Sequence, residues 1–236
     1  MSVESDWLDS PNGRRLLQEE SGQVKRALES IFGDYLVQVG AWGPQGLFLE
    51  HARTRHKFLL SSKQSDFSDA LVCADLLGLA SDSVDVVLLP HVLEAVLDPI
   101  EILREVDRVL RPEGHMVVLG FSPASWWGLR HSISRNGYPP GLSRHIPERR
   151  LSDWLRLLNF RISYTARYYP AAEAGQSLVG QQKPAIQKWW NWKAINPGYI
   201  LVAYKELFTL TLVRPRRRHR TRLVGGLVNP TIGHTA

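Results

Sequence analysis

The chain has 236 residues, 44% of them apolar, and a formal net charge of +6. This length and this composition allow one large domain with a hydrophobic core. Its one cysteine, Cys73, excludes an internal disulfide and a multi-cysteine zinc site, so a reducing, cytoplasmic compartment is expected.

The positive charge is concentrated near the C-terminus. Residues 214–222 contain six arginines and no acidic residue, and the rest of the chain has 23 basic and 23 acidic residues. The basicity therefore belongs to a tail over residues 206–236, which is predicted to be disordered. A nucleic-acid-binding face on the folded part is not expected, and any contact with nucleic acid would rest on the arginines from Arg214 to Arg222.

Neither a secretory signal nor a membrane span is expected. The first residues include Glu4, Asp6 and Asp9 and lack the apolar run of a signal peptide. No apolar run in the chain approaches the roughly 18 residues that a membrane-spanning helix needs.

An amphipathic pattern predicts a helix over residues 11–32. Leu16, Leu17, Val24 and Leu28 recur at helical spacing on one face, although Gly22 can interrupt the helix. We assign residues 1–32 to an N-terminal helical cap. The residues alone are also consistent with a helix that only covers an edge of the sheet.

A buried strand is predicted over residues 35–40, followed directly by the glycine-rich turn Gly40-Ala41-Trp42-Gly43. Such a turn lets the backbone approach a ligand closely and brings the N-terminus of the next helix to the same place. The alternative is a tight strand-to-helix turn that binds no ligand.

The following elements are shorter. A short helix is predicted over residues 48–52, then a second strand that ends in Ser61, and a third strand over residues 71–74 that ends at Asp75-Leu76. An aspartate at such a strand-to-loop transition is often only a turn former. Asp75 is therefore either a ligand contact or a residue that only forms the turn.

The fourth strand, over residues 84–89, ends in Pro90-His91. Open α/β sheets bind their ligands at the carboxyl ends of the strands, which places both residues at a candidate pocket. His91 can act as a general base. We favour the simpler role, in which it lines the pocket.

The most regular stretch is the strand–helix–strand unit that this fourth strand begins. Asp98 is a predicted N-cap, with Pro99 at the first helical position. The apolar stripe of the helix consists of Ile102, Leu103, Val106, Val109 and Leu110. The run Arg111-Pro112-Glu113-Gly114 is predicted to end the helix before a buried strand over residues 115–120. The unit is a parallel, right-handed βαβ crossover.

This part of the chain resembles the central half of class I S-adenosylmethionine-dependent methyltransferases, in the small-molecule branch called methyltransferase type 11. The matching segments, in order, are Asp75-Leu76, residues 81–87, His91-Val92-Leu93-Glu94, Asp98-Pro99 and residues 108–114. Over its whole length the chain is similar to small bacterial methyltransferase-like proteins. The resemblance implies one α/β domain over residues 33–205, with a Rossmann-like, mostly parallel seven-stranded sheet and helices on both faces. It also implies that the N-terminal helix lies across the cofactor cleft.

The resemblance further implies S-adenosylmethionine as the cofactor. In the family, the glycine loop contacts the amino-acid end of this molecule, the end of the second strand contacts the ribose, and an aspartate after the third strand accepts the adenine amino group. The implied cofactor contacts on this sequence are Gly40, Ala41, Trp42, Gly43, Ser61, Asp75, Leu76, Pro90 and His91. Leu76 is expected to contribute its backbone.

Four positions depart from the family pattern. They are Gln38, Trp42, Pro44 and Ser61. Gln38 and Ser61 stand where the family has acidic residues, and the other two replace glycines. A serine hydroxyl makes a weaker ribose contact than a bidentate carboxylate, although Gln64 and Asp66 are near enough in sequence to substitute for it.

A long loop rich in Pro, Gly, Ser and aromatic residues is predicted after Gly120. Trp126, Trp127 and Tyr138 in this loop either wall an apolar acceptor pocket or cover the sheet. No metal site is predicted, because His131 and His145 share no ligand spacing with another histidine or carboxylate.

The remaining elements support the fold. A helix is predicted over residues 151–158, a strand over residues 161–164 and a last strand over residues 198–205, which the family resemblance implies to be antiparallel near the sheet edge. Three tryptophans that can pack on the sheet or grip an acceptor precede the last strand: Trp189, Trp190 and Trp192.

The expected function is methyl transfer from S-adenosylmethionine to a small-molecule acceptor. A positioned acceptor needs no obligatory catalytic side chain, so none is named. One rival hypothesis is a degenerate methyltransferase fold that acts as a non-catalytic binding or scaffold protein, because the four departures fall at cofactor contacts. The other is an RNA-directed enzyme or binder, which rests on the arginine tail. The sequence predicts neither the acceptor's identity nor the oligomeric state.

Overall fold

The computed structural model describes residues 3–62, 68–134, 137–168 and 196–206. The described helices are α1 (Val3–Leu8), α2 (Pro11–Leu28), α3 (Val92–Ala95), α4 (Pro99–Val109), α5 (Trp126–Ile133) and α6 (Glu148–Leu157). The described strands are β1 (Phe32–Val39), β2 (Arg53–Ser61), β3 (Ala70–Leu71), β4 (Val84–Pro90), β5 (Leu110–Phe121), β6 (Phe160–Tyr168) and β7 (Gly198–Lys205). The predictions for Gln64, Asp66, the three tryptophans at 189, 190 and 192, and the arginine-rich tail fall outside the described residues.

The strands form one sheet in the order β3-β2-β1-β4-β5-β7-β6. The pairs β1–β2, β1–β4, β2–β3 and β4–β5 are parallel, and β7 is antiparallel to both β5 and β6. This confirms the predicted Rossmann-like, mostly parallel seven-stranded sheet with an antiparallel last strand. The carboxyl ends of β1 to β4 lie at one edge, called here the carboxyl edge, where the strand order reverses between β1 and β4.

Helices pack on both faces of the sheet, as predicted. On one face, Leu103 of α4 and Leu151 of α6 are fully buried in the larger core. On the other face, Leu16 and Val24 of α2 and Trp127 of α5 form a second core with the sheet. Among the described residues, no helix combines the length and the apolar character needed to cross a bilayer.

Both ends of α4 agree with the sequence analysis. Asp98 caps the helix, because its Oδ1 accepts a hydrogen bond from the Ile100 amide at 2.9 Å. The helix ends at Val109, just before the Pro-Gly run over residues 111–114. β5 begins earlier than predicted, at Leu110, but residues 111–114 are irregular: β4 pairs with Leu110 and next with His115, and Glu113 has a φ of +65°.

Several other boundaries differ from the predictions. The helix predicted over residues 11–32 is α2, which ends at Leu28, four residues early, and a further helix, α1, precedes it. The short helix is a 3₁₀ turn over Leu49–His51. The third strand is only Ala70–Leu71, because the chain closes a tight turn in which the Leu76 amide donates to the Cys73 carbonyl at 3.0 Å. The loop after Gly120 contains α5.

Candidate functional site

The glycine-rich turn after β1 lies at the carboxyl edge. Gly40 has a φ of +89°, and a Cβ atom there would lie 2.6 Å from Cγ2 of Val92. The position therefore needs glycine both for its backbone conformation and for the close approach of the next segment. Gln38, which stands where the family has an acid, donates its amide Nε2–H to the Gly40 carbonyl at 3.0 Å and thereby closes the turn.

Trp42 folds back over this turn and is only 3% exposed. Its ring centroid lies 4.5 Å from that of His91. Its indole Nε1–H donates to Oε2 of Glu20, on α2, at 2.9 Å. The residue that replaces a family glycine is therefore part of a polar cluster with the N-terminal helix.

His91 is the centre of that cluster. Its Nε2 lies 2.9 Å from Oε1 of Glu20, and its Nδ1 lies 2.8 Å from Oε2 of Glu94. The imidazole also stacks on Phe121 with ring centroids 4.1 Å apart. Glu20, His91 and Glu94 are all at most 1% exposed, so the three charges interact without solvent screening. We call Glu20, Trp42, His91, Glu94 and Tyr168 the buried network.

The two carboxylates determine the protonation of His91. Burial by itself would lower its pKa, but the charge of Glu20 and the hydrogen bonds to Glu20 and Glu94 outweigh burial and raise the pKa of His91 to about 9. Burial also raises the pKa of Glu94, against the hydrogen bonds that this carboxyl accepts. His91 is therefore an imidazolium at neutral pH, and both of its ring nitrogens donate to carboxylates.

Glu20 was not identified from the sequence. It accepts a third hydrogen bond at Oε1 from the Tyr168 hydroxyl of β6 at 3.0 Å, and burial together with this neighbouring charge raises the pKa of Tyr168. The sequence carried a signal, because Glu20 lies on the apolar stripe of α2 between Leu16 and Val24, where a charged residue needs buried partners. Through Glu20, α2 contacts the carboxyl edge, as the family resemblance implied.

Glu94 connects the network to two further segments. Its Oε1 accepts the Phe121 amide at 2.7 Å and the Ile146 amide at 3.5 Å. The carboxylate thereby fixes the segments that follow β5 and precede α6 against the end of β4.

The predicted adenosine contacts lie farther along the carboxyl edge. Asp75 and Ala41 are exposed, and the Leu76 side chain is 69% exposed. The Leu76 amide, expected to contact adenine, donates within its own turn, and Ser61 is only 4% exposed. The remaining predicted contacts Gly40 and Gly43 are half-buried, whereas Pro90 is buried beside His91.

These residues fit S-adenosylmethionine when its two ends are considered separately. An exposed carboxylate at Asp75 suits the adenine amino group. At the other end, Trp42 covers the carboxylate of Glu20, a hydrogen-bond acceptor that suits the ammonium of the zwitterionic amino-acid end. Because the Trp42 indole occupies that acceptor, a bound methionine group would require the Trp42 side chain to move.

The aromatic residues after β5 mainly cover the sheet. Trp127 is 1% exposed and Tyr138 is 5% exposed, and both make edge-to-face contacts with Trp7 of α1. Trp126 alone of the three proposed pocket residues is exposed, at 62%. Two of the three residues, Trp127 and Tyr138, therefore pack on the sheet.

A cleft with a volume of about 250 Å³ lies between the starts of α4 and α6. Its walls include Leu97, Pro99, His145, Arg150 and Trp154. Burial, together with the nearby His131, lowers the pKa of His145 to about 3, so its imidazole stays neutral at physiological pH. This cleft begins where the loop after β4 leaves the carboxyl edge.

Comparisons with known proteins agree with this architecture. A family model described as "Methyltransferase domain" matches residues 46–118. The chain is 32% identical over 211 residues to "Uncharacterized protein YafS" of Escherichia coli (strain K12), a match that covers 87% of this chain and 82% of that protein.

Two solved structures share the fold. The putative methyltransferase in complex with the Trm112 methyltransferase activator of Haloferax volcanii aligns with a TM-score of 0.57 and 17% identity, over 87% of this chain and 99% of that chain. A SAM-dependent methyltransferase from Archaeoglobus fulgidus aligns with a TM-score of 0.56 and 16% identity, over 80% of this chain and 94% of that one.

Proposed function

This chain belongs to the class I S-adenosylmethionine-dependent methyltransferase family, together with YafS, and from that premise we propose that it transfers a methyl group to a small-molecule acceptor. S-adenosylmethionine is the cofactor that this membership implies. The proposal concerns turnover and the class of acceptor, which family membership alone does not determine.

One observation carries the proposal. The carboxyl edge combines the left-handed Gly40 turn with an exposed carboxylate at Asp75, on the two sides of β2. An aspartate that only shapes a turn need not be accessible to a ligand. Asp75 is accessible, because both it and the neighbouring Leu76 side chain are exposed. This combination supports adenosine binding at the position that the family uses.

The main contribution of the protein to the reaction would be to position the acceptor. When bound, S-adenosylmethionine supplies an electrophilic methyl group on a sulfonium. The residues of this chain would orient an acceptor in line with that group and exclude water. His91 is not available as a general base, because both ring nitrogens already donate to Glu20 and Glu94. The acceptor therefore needs a nucleophilic lone pair that is free at neutral pH.

The lining of the cleft between α4 and α6 supports a small acceptor. The Trp154 ring and the apolar Leu97 and Pro99 offer an acceptor an apolar wall, and the cavity volume of about 250 Å³ leaves room only for a small molecule. The body of the chain is formally neutral without its arginine-rich tail, which argues against a nucleic-acid acceptor.

Isothermal titration tests cofactor binding first. Saturable binding of S-adenosylmethionine and S-adenosylhomocysteine is expected, and Asp75→Ala should weaken both by roughly 10-fold, the loss expected for one hydrogen bond to a charged group. Glu101→Ala serves as the matched control, since it removes an exposed carboxylate on α4. No heat from the unaltered chain up to about 1 mM ligand would refute the proposal.

Transfer is then measured with S-adenosylmethionine that carries a tritiated methyl group. The labelled cofactor is incubated with the full chain and with a cell extract separated into small-molecule, protein and nucleic-acid fractions. Label in the small-molecule fraction supports the proposal. Label confined to one of the other two fractions contradicts the proposed class of acceptor.

A second candidate function has an observation of its own. Because Trp42 and His91 are packed over Glu20 with exposures of 3% or less, the chain can bind an adenine nucleoside at Asp75 without ever admitting a methionine group. It would then be a non-catalytic binding protein. Equal affinities for 5′-methylthioadenosine and S-adenosylmethionine, with no methyl transfer, would favour this alternative.

A further inference from the structure

The Glu20 carboxylate is a hydrogen-bond acceptor surrounded by donors. Its Oε1 accepts hydrogen bonds from the His91 ring and the Tyr168 hydroxyl, and among the described residues its Oε2 accepts one only from the Trp42 indole N–H. The side chain is completely buried at the carboxyl edge. A buried carboxylate of this kind must keep all of its donors or exchange them for equivalent ones.

Of the three donors, Trp42 is the one that can be exchanged. His91 and Tyr168 lie at the ends of β4 and β6 and are fixed by the sheet. Trp42 lies in the turn between Gly40 and Gly43, which have φ angles of +89° and +79°, and it follows the exposed Ala41. A displacement of Trp42 therefore involves this short turn, whereas a displacement of His91 or Tyr168 would involve the end of a strand.

The chemistry of the site selects a cation. Two carboxyl groups, those of Glu20 and Glu94, flank the single imidazole of His91, and a carboxylate oxygen is a strong hydrogen-bond acceptor for an ammonium group. The ring of Trp42 adds a π face of the kind that attracts ammonium groups. Gln38, which stands where family members have an acid, has no carboxylate and donates its amide to the Gly40 carbonyl.

We propose that Oε2 of Glu20 binds the ammonium group at the amino-acid end of S-adenosylmethionine, and that the Trp42 indole N–H occupies this acceptor until the ligand displaces it. The carboxylate missing from the end of β1 is thus supplied by helix α2. This inference rests on the proposed function, because it places the cofactor at the carboxyl edge.

Four binding measurements by isothermal titration on the full chain test it. The ligands are S-adenosylhomocysteine, which carries the ammonium, and 5′-methylthioadenosine, which lacks it. Each is titrated into the unaltered chain and into Glu20→Gln. The ratio of the two affinities reports the whole amino-acid end, its carboxylate as well as its ammonium, and the change of this ratio in Glu20→Gln isolates the contact with Glu20. The affinity for 5′-methylthioadenosine reports the adenosine end.

Glu20→Gln should lower the affinity for S-adenosylhomocysteine by roughly 10- to 100-fold, the range for one hydrogen bond between charged groups. Its affinity for 5′-methylthioadenosine should not change. Trp42→Phe keeps a ring but removes the competing N–H, so it should raise the affinity for S-adenosylhomocysteine only. Glu19→Gln is the matched control, because Glu19 lies on the same helix and contacts only Gln23 among the described residues.

The outcomes distinguish the ammonium site from the proposed function. If both ligands bind but their affinity ratio is the same in Glu20→Gln and the unaltered chain, the ammonium site is refuted and the proposed function stands. If neither ligand binds to the unaltered chain or to Trp42→Phe, both are refuted. Should Glu20→Gln unfold, Trp42→Phe decides, since an unchanged affinity ratio in that variant overturns the proposal.

Discussion

His91 should make the stability of this protein fall as the pH rises above neutral. The pKa of His91 is about 9 in the folded chain, because the attraction of Glu20 and Glu94 outweighs burial, against the ordinary histidine value of 6.5. A raised pKa means that the folded state holds a proton that the unfolded state releases. The stabilisation is therefore complete below about pH 6.5 and is lost progressively toward pH 9.

The magnitude follows from the difference between the two pKa values. About 2.5 pKa units at 1.36 kcal/mol each give roughly 3 kcal/mol, and the steepest slope is about −1.4 kcal/mol per pH unit. Since His91 is 1% exposed, solvent does not screen this term appreciably. Such a contribution is a large fraction of the stability of an ordinary domain.

Urea unfolding of the unaltered chain and of His91→Gln, at pH values from about 6 to about 9, measures the effect. His91→Gln leaves Glu20 and Glu94 buried without their cationic partner, so the triple variant His91→Gln, Glu20→Gln, Glu94→Gln is measured beside it. His115→Gln is the matched control, because burial lowers the pKa of His115, and a lowered histidine pKa cannot make stability fall as the pH rises. Parallel pH profiles for the unaltered chain and the triple variant would refute the reasoning.

Three further predictions concern other parts of the same framework. Asp85→Ala should cost about 2 kcal/mol in urea unfolding, because this carboxylate accepts two backbone amides of β1 and pairs with Arg111; an undiminished midpoint would contradict the role. The stability of the unaltered chain should rise between about pH 3 and pH 6.5, because the lowered pKa of His145 lets only the unfolded chain gain a proton there. His145→Asn should remove this rise, and a variant that keeps it would exclude His145 as its source. Gly40→Ala should lower the thermal midpoint, because its Cβ would lie 2.6 Å from Val92 and its φ is +89°, whereas Gly46→Ala, with no atom within 4 Å, is the control for backbone strain alone.

The strand–helix–strand unit around α4 could be predicted because its signals are local. The Asp98 cap, the proline that follows it and the apolar stripe all act within a few residues of one another. The Pro-Gly signal at residues 111–114 is equally local, and the helix ends before it, at Val109. The start of β5 at Leu110 could not be predicted, because Leu110 pairs with Val84 of β4 and no window of neighbouring residues contains that partner.

The candidate site was likewise predictable where its signals are local and not where they are tertiary. Its positions at the ends of β1, β3 and β4 follow from strand order and family motif. The buried network does not, because Glu20 lies 71 residues from His91 and 148 residues from Tyr168 along the chain. Only the presence of a charged residue on the apolar stripe of α2 pointed to such partners, without identifying them.

The central claim is that the carboxyl edge binds S-adenosylmethionine from Asp75 to Glu20. A titration of the uniformly ¹⁵N-labelled chain with this cofactor, followed by nuclear magnetic resonance, tests it most directly. We predict one saturable process in which the amides of Gly40, Ala41 and Asp75 shift and the Trp42 indole N–H loses its hydrogen-bonded position. Shifts confined to residues away from this edge, or none at all, would contradict the account.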